Sequence, residues 1–405
     1  MLFIQTAVSA HLKNHQKLNG MKRIIKFFKI IGIVLISIII IAFLYIVINS
    51  KLGNSKIYAE IDGFGTKLLA VSYNSIDRTE SHYKLAFCFN DKVNIKIPHK
   101  RTGEVIIKPV IEAMKRKVFR SKNISFYLDP NSEIIIKGKS KDISVEYEII
   151  KGNKLSFQRN ELNKTLLPYY EKESRLIYES FKLRKTNPEK SNLIIEQFDS
   201  LRFFIVAPLR TEWAKEHLDY ELTPVYFLES HVPKDTVKKY FNLLQTNVRE
   251  SEYGQILEKT VLGWNNTQKG DIAPNFEQYT NLKKHFSLAE LKGKYVIIDF
   301  WGSWCGPCIS EMPKMKKYYE KYNDKIEFVG IACNDRKDSW EKFIKDNQLN
   351  WVHLLNDVSK NDISALYGVT SYPTKFILDK EGGIIEKFEG IENDFYKVVD
   401  EIIKR

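Results

Sequence analysis

The sequence predicts a C-terminal α/β domain behind an N-terminal antiparallel β domain, a helical middle region and one N-terminal transmembrane helix. Three observations carry this: an uncharged apolar run near the N-terminus, period-two alternation over residues 55–152, and an alternating order of strands and helices over the last third. The expected divisions are 1–50, 55–152, 153–269 and 270–405.

Residues 30–48 read IIGIVLISIIIIAFLYIVI. As a helix this run matches the roughly 30 Å hydrocarbon core of a bilayer. Residues 1–59 hold eight basic groups and no acidic one. Six of the eight (Lys13, Lys17, Lys22, Arg23, Lys26, Lys29) precede the run and two (Lys51, Lys56) follow it, so the positive-inside rule places the N-terminus in the cytoplasm and the rest outside. A cleaved signal peptide is the competing reading, but its apolar core is about 7–15 residues long and ends in small residues. Here the run ends Ile46-Val47-Ile48-Asn49-Ser50, which favours an uncleaved signal anchor. Met21 opens a more ordinary anchor sequence, MKRIIKFF, so translation from Met1 or from Met21 stays open.

Between 55 and 152, eight short runs alternate apolar and polar residues: KIYAEIDGF, KLLAVSY, YKLAFCF, KVNIKI, EVIIKP, ISFYL, EIIIKG and ISVEYEII. Turn residues such as Asp62-Gly63, Asn74-Ser75, Asp129-Pro130-Asn131 and Gly138 separate them, which predicts an antiparallel sandwich or open barrel. No cluster in it has ligand or catalytic spacing, so packing or presentation is its expected role. From 153 to 266 the period becomes helical. Pro188, Pro208, Pro224 and Pro233 are expected to cut this stretch into helices of ordinary length, with Pro233-Lys234-Asp235 as one start. Its aromatic residues (Phe203, Phe204, Trp213, Tyr220, Tyr226, Phe227, Tyr240, Phe241) have the spacing of a core rather than of a ligand groove. The polar residues 265–270 read as a linker.

The last third predicts strand 295–301, a helix from Cys305 to about Lys321, strand 325–332, helices over 339–347 and 362–368, strand 374–379, a turn at 380–383, strand 384–388 and a helix from Asn393. Where the first strand meets the first helix stands Asp299-Phe300-Trp301-Gly302-Ser303-Trp304-Cys305-Gly306-Pro307-Cys308. A helix N-terminus stabilises a thiolate at Cys305 through its unpaired N–H groups and dipole. Cys308, three residues on, is near enough to close a disulfide, so attack by Cys305 on a target disulfide gives a mixed disulfide that Cys308 resolves. Pro307 suits a first helical turn, where its missing N–H has no partner to lose. Asp299 is expected to be buried, with a raised pKa, and able to exchange a proton with Cys308. Glu311 lies on the same helix face as Cys308, either as an active-site acid or as a solvated first-turn acid.

A bare C-x-x-C is also half of a zinc site, but the other possible ligands, Cys88, Cys333, His285 and His353, are single and scattered, so no metal or other cofactor is expected. Cys333 reads as a buried strand residue and Cys88 as another, with a Cys88–Cys333 bridge as the less favoured alternative. Four cysteines in 405 residues exclude a disulfide-stapled scaffold. The formal charge of +13 is uneven: +8 on 1–59, +7 on 60–270, and −2 on 271–405, where 20 basic groups meet 22 acidic ones. That distribution, without basic–aromatic interleaving, gives no support to nucleic-acid binding.

WCGPC preceded by DFW, then Glu311-Met312-Pro313 and later Val369-Thr370-Ser371-Tyr372-Pro373-Thr374, resembles the thioredoxin superfamily. The E-x-P after the second cysteine is similar to its TlpA/ResA-type membrane-anchored thiol:disulfide oxidoreductases. The resemblance covers about 270–405 and implies an α/β thioredoxin-like fold. It implies Cys305 as nucleophile, Cys308 as resolving cysteine, Glu311 as active-site glutamate and Pro373 as a cis-proline. The substrate surface would be Trp304, Gly306, Pro307, Tyr372 and Pro373. Asp299 matches the buried aspartate of ordinary thioredoxins, a position many TlpA-like chains fill differently, which leaves the division of proton transfer between the two acids open. More weakly, the β and helical regions resemble the N-terminal extension of many thioredoxin-like proteins of Bacteroidota. A peroxiredoxin-like reading lacks its P-x-x-x-T-x-x-C arrangement.

The expected function is therefore reduction of disulfides in exported proteins at the periplasmic face of the inner membrane, as part of cell redox homeostasis. The Gly306-Pro307 pair is that of reducing thioredoxins, whose reference potential is about −270 mV. In an oxidising periplasm such a reductase needs a thiol-type electron donor in the membrane as a partner. Cytochrome c maturation fits as one such role, and no residue selects it. The alternative is an envelope binding or scaffold protein with an accessory thioredoxin-like domain.

Overall fold

The structure, a computed structural model, describes residues 31–76, 80–110, 122–229, 232–357, 361–391 and 393–404. The basic residues from Lys13 to Lys29, Ile30 at the start of the apolar run, and both possible initiators, Met1 and Met21, lie outside the described residues. The apolar run forms one helix, α1 (Ile31–Ser50), with a mean hydropathy of 3.3. Its end is fixed to the β domain. Buried Lys84 donates from Nζ to the carbonyls of Asn49 (3.0 Å), Leu52 (2.9 Å) and Lys96 (2.7 Å). Further along the helix, the Phe43 ring lies 5.0 Å from that of Phe87.

All eight alternating runs are strands: β1 (Ser55–Asp62), β2 (Lys67–Ser75), β3 (Ser81–Phe89), β4 (Lys92–Ile97), β5 (Gly103–Pro109), β6 (Ile124–Leu128), β7 (Glu133–Ser140) and β8 (Val145–Lys151). They form one sheet in the order β6-β5-β2-β3-β4-β1-β7-β8. The inward halves of the alternation, such as Ile57, Val71, Val105, Phe126 and Ile136, make its core. The expected antiparallel pairing needs one correction, because β1 and β7 run parallel. Alternation fixes which face is buried and carries no information on strand direction.

The helix α2 (Lys154–Leu183) lies across the two edge strands, and so closes an open barrel. Ser156 Oγ accepts from Tyr127 N on β6 and donates to Tyr127 O. Asn160 donates to Tyr147 O on β8 and accepts from Ile149 N. The Tyr147 hydroxyl completes the join by donating to Ser125 O at 2.8 Å. Polar side chains thus satisfy backbone groups that a free edge would leave open.

After α2 come α3 (Pro188–Leu201), a π-helical segment (Arg202–Val206), α4 (Ala207–Glu216), α5 (Thr223–Phe227), α6 (Lys234–Phe241), α7 (Thr246–Arg249) and α8 (Glu252–Asn266). The prolines cut this region less than expected. Pro168, which was not among the expected breaks, sits inside the 30-residue α2, where Leu162, Leu166 and Tyr170 pack on both sides of it and outweigh one lost backbone bond. Pro208 does not separate α3 from α4, since the wider π turn just before it makes room for the ring. Trp213, Tyr226, Phe227 and Phe241 are core, as their spacing implied, while Phe203 and Phe204 are exposed.

The C-terminal part contains the hairpin β9 (Glu277–Tyr279) and β10 (His285–Ser287), then β11 (Tyr295–Trp301), α9 (Gly306–Tyr322), β12 (Ile326–Ala332), α10 (Lys337–Asn347), β13 (Val352–Leu355), α11 (Ile363–Leu366), β14 (Thr374–Leu378), β15 (Ile384–Glu389) and α12 (Asn393–Lys404). The sheet order is β13-β12-β11-β14-β15, with β11, β12 and β13 parallel and β14 and β15 antiparallel. This is the thioredoxin-like fold. The sequence reading lacked β13 and the β9–β10 hairpin. Ile297 and Trp301 of β11 face Met312 of α9 and Phe395 of α12, and Ile298 and Phe300 face the opposite core. Asp299 shares the α9 face by the same alternation.

Helix α8 docks against this domain. A Cβ on Gly263 would stand 2.4 Å from both Ala365 O and Gly368 N, so only glycine permits the approach. Beside it Trp264 Nε1 donates to Gly368 O at 2.7 Å, and the Thr267 hydroxyl to Tyr367 O at 3.2 Å. The stretch read as a linker, 265–270, thus opens on the last two residues of α8 and contains a buried interface residue, Thr267.

A candidate dithiol active site

Cys305 is the N-cap of α9, in an extended backbone conformation, and Pro307 lies in the first turn. Its Sγ accepts a hydrogen bond from Cys308 N at 3.2 Å. Such an acceptor position stabilises negative charge on sulfur, and the helix dipole adds to it. Cys305 and Cys308 are joined as a disulfide, with Cα atoms 5.3 Å apart. Both are largely buried. A Cβ on Gly306 would meet nothing within 4 Å, so the backbone between the cysteines is open on that side.

The walls come from neighbouring loops. Trp304 is 53% exposed and donates from Nε1 to Cys333 O at 3.0 Å, while its ring meets that of Tyr372 edge-on at 5.7 Å. The Tyr372–Pro373 peptide is cis, and Pro373 O accepts from Gly390 N. Ser303 is pinned by Asp335, which accepts from the Ser303 amide at 2.5 Å and from its hydroxyl at 2.8 Å. This loop contact was not legible in the sequence, because nothing in its spacing ties residue 335 to residue 303.

Under α9 lies a group of buried charges. Asp299 on β11 is paired in register with Lys375 on β14. Lys375 Nζ stands 2.7 Å from Glu311 Oε2 and 3.6 Å from Asp299 Oδ1. Lys375 is 2% exposed, Asp299 6% and Glu311 8%, so all three are dry. Burial pushes the Asp299 carboxyl up from its usual range, and Glu311 adds to the rise, while Lys375 opposes it. The Tyr396 hydroxyl, also buried, is held protonated by burial and by the Glu311 charge. Glu311 is therefore not the solvated first-turn acid that was one of its two readings. Lys375 was missed as a site residue, although a lysine inside the apolar run Thr374–Leu378 was a visible signal.

Cys88 and Cys333 are buried in separate cores as thiols and are not bridged. Burial pushes the Cys88 thiol up to about 11. His353 is fully buried with its ring 5.0 Å from that of Trp351, and burial pushes its pKa down to about 3. His285 pairs with Glu277 across the β9–β10 hairpin. Among the described residues no three His, Cys, Asp or Glu side chains are grouped to hold a metal ion.

Residues 269–387 match the AhpC/TSA family. The thiol-disulfide oxidoreductase ResA of Bacillus anthracis is 36% identical over 124 residues, 30% of this chain and 70% of the relative. The thioredoxin-like protein YneN of Bacillus subtilis (strain 168) is 38% identical over 120 residues, 29% and 69% of the two chains. Among solved structures, a thiol:disulfide interchange protein of the thioredoxin family from Chlorobium tepidum TLS has 30% identity and a TM-score of 0.31, covering 33% of this chain and 97% of its own. The thioredoxin domain of a thiol-disulfide oxidoreductase from Bacteroides vulgatus has 28% identity and a TM-score of 0.31, covering 33% and 97%. The sequence relatives fall on the third of the chain that carries the dithiol, and through that domain the chain belongs to the ResA-like family of thiol-disulfide oxidoreductases.

Proposed function

We propose that the chain is a membrane-anchored oxidoreductase that works outside the cytoplasm and reduces disulfides in exported proteins. The observation that carries the chemistry is Cys305 at the head of α9 with its sulfur accepting the Cys308 amide, one bond from Cys308 itself. In the reduced protein the Cys305 thiolate attacks one sulfur of a target disulfide. A bond forms between Cys305 and the target, and the target's second sulfur leaves as a thiolate. Cys308 then attacks Cys305 Sγ, the mixed disulfide breaks, and the target departs as a dithiol. Two electrons have passed to the target, and the Cys305–Cys308 disulfide remains.

Cys308 must lose its proton to attack. Asp299, whose raised pKa suits exchange with a thiol, is assigned as the acceptor. Glu311 is held by Lys375 beside Asp299. The wall of Trp304, Tyr372 and Pro373 positions the target chain beside the sulfurs. The anchor reading is supported by α1 and by the basic residues before it in the sequence. Re-reduction then requires a membrane donor of thiol type, because the surrounding compartment is oxidising.

The test is Cys308→Ser expressed in cells. The variant forms the first mixed disulfide and does not resolve it, so exported proteins should accumulate as covalent adducts on Cys305 that reductant releases. Folded Cys308→Ser protein carrying no adduct would rule the reaction out.

A further inference from the structure

A cleft of about 990 Å³ lies between the barrel, the helical region and the thioredoxin-like domain. Tyr127, Arg159, Arg210 and Tyr226 form one wall, and Asn334 and Asp335 the other. The second wall is also the redox site's own loop. Asp335 fixes Ser303, and Asn334 donates to the Tyr372 hydroxyl at 3.4 Å. On the other side of that loop a depression of about 550 Å³ is lined by Ser303, Trp304 and the same Asn334 and Asp335. The cleft and the depression beside Trp304 therefore share the loop of Asn334 and Asp335 as a common wall.

The chemistry of the cleft selects among ligands. Its arginines are already matched: Arg159 stands 3.3 Å from Glu104, Arg210 binds both oxygens of Glu229 at 3.1 Å, and Arg336 lies 2.7 Å from Asp338. Paired charges leave no strong field for a phosphate or nucleotide. What they present, with Asn74, Asn334 and the tyrosine hydroxyls, is a surface of mixed donors and acceptors. One donor, Arg210 Nε, is buried and has no partner among the described residues. An extended polypeptide offers one N–H and one C=O per residue and matches such a surface. The tight contact at Gly263 and Trp264 holds the two walls in fixed relation.

We infer that this cleft binds the polypeptide segment next to the target disulfide, so that the barrel and helical region serve as a client-docking platform. The inference rests on the disulfide-exchange reading above and adds the place where the client chain is held. The test uses the full chain in detergent, reduced beforehand, with two oxidants: a disulfide between two unstructured peptides, and hydroxyethyl disulfide, which has no peptide. Asn74 and Ser81 are exposed partners on β2 and β3, and Asn74 belongs to the cleft. Ser81→Trp and, as a second variant, Asn74→Trp fill this side, and near-ultraviolet circular dichroism checks folding. The second-order rate constant with the peptide disulfide should fall about tenfold, the equivalent of one or two hydrogen bonds. That with hydroxyethyl disulfide should stay unchanged. Equal rates for variants and parent on the peptide, or equal loss on both oxidants, would overturn the docking site. A parent protein that reduces neither oxidant would overturn the exchange reading itself.

Discussion

Lys375 sits between two carboxylates of unequal standing, and the inequality has opposite consequences for stability. Glu311 makes the short contact, at 2.7 Å, whereas Asp299 at 3.6 Å keeps a carboxyl raised mainly by burial. Neutralising Asp299 removes a buried charge that its partner compensates poorly. Asp299→Asn should therefore stabilise the oxidised protein by roughly 1–3 kcal/mol at neutral pH. A carboxyl with a raised folded pKa holds its proton longer in the folded than in the unfolded chain. Its favourable contribution is thus complete below the unfolded value, about 3.9, and is lost as pH rises through the folded value. The gain from Asp299→Asn should accordingly vanish in acid, and urea midpoints at pH 4 and pH 8 measure it. An equal gain at both would remove the burial argument. Glu311→Gln breaks the shorter pair and should instead destabilise by roughly 2–4 kcal/mol. Cys305 and Cys308 were readable in the sequence because strand, turn and helix signals converge on ten consecutive residues. Asp335 was not, because it joins the site from another loop through tertiary contact, and Lys375 left only the trace of a charge inside an apolar strand, with nothing to name its partners.

Among the elements, α8 depends most on a single atom's absence. In Gly263→Ala the new Cβ would strike the backbone at Ala365 and Gly368, where nothing flexible can yield. The substitution should destabilise the contact by about 1–3 kcal/mol and raise proteolysis across residues 267–275. Cleavage at the parental rate would show that α8 docks more loosely than this contact requires. The same interface explains part of what sequence pattern missed. Alternation revealed the barrel strands, most of which have one dry and one wetter face, while β6 is buried throughout and showed as a short apolar run. It failed for Val352–Leu355, four residues at the edge of a sheet with no polar alternation to read. The expectation that proline breaks a helix failed at Pro208, where the π turn before it accommodates the ring.

At the scale of the whole molecule, the charge surplus and the apolar helix α1 meet at Lys84. Its ammonium is buried, and burial lowers its pKa, yet three carbonyls from α1, the segment after it and β4 hold it. Lys84→Met should free the end of α1 from the barrel. Amide exchange at Lys51 and Leu52, whose N–H groups close the helix's last turn, should accelerate at least tenfold while the barrel core stays protected. Unchanged exchange there would mean that Phe43 and Phe87 alone fix the helix.

The Lys84 clamp also bears on how partners meet the dithiol. A helix joined to its cargo by a floppy segment is a leash, and its cargo searches a volume. With α1 joined to the barrel, and the barrel joined through α2 and α8 to the thioredoxin-like domain, a membrane anchor at α1, as proposed above, would act as a mast. On the proposed anchoring, Cys305 would be held at one altitude over the bilayer, and the proposed membrane donor would have to present its own thiols at that altitude. Clients arriving from solution face no such restriction.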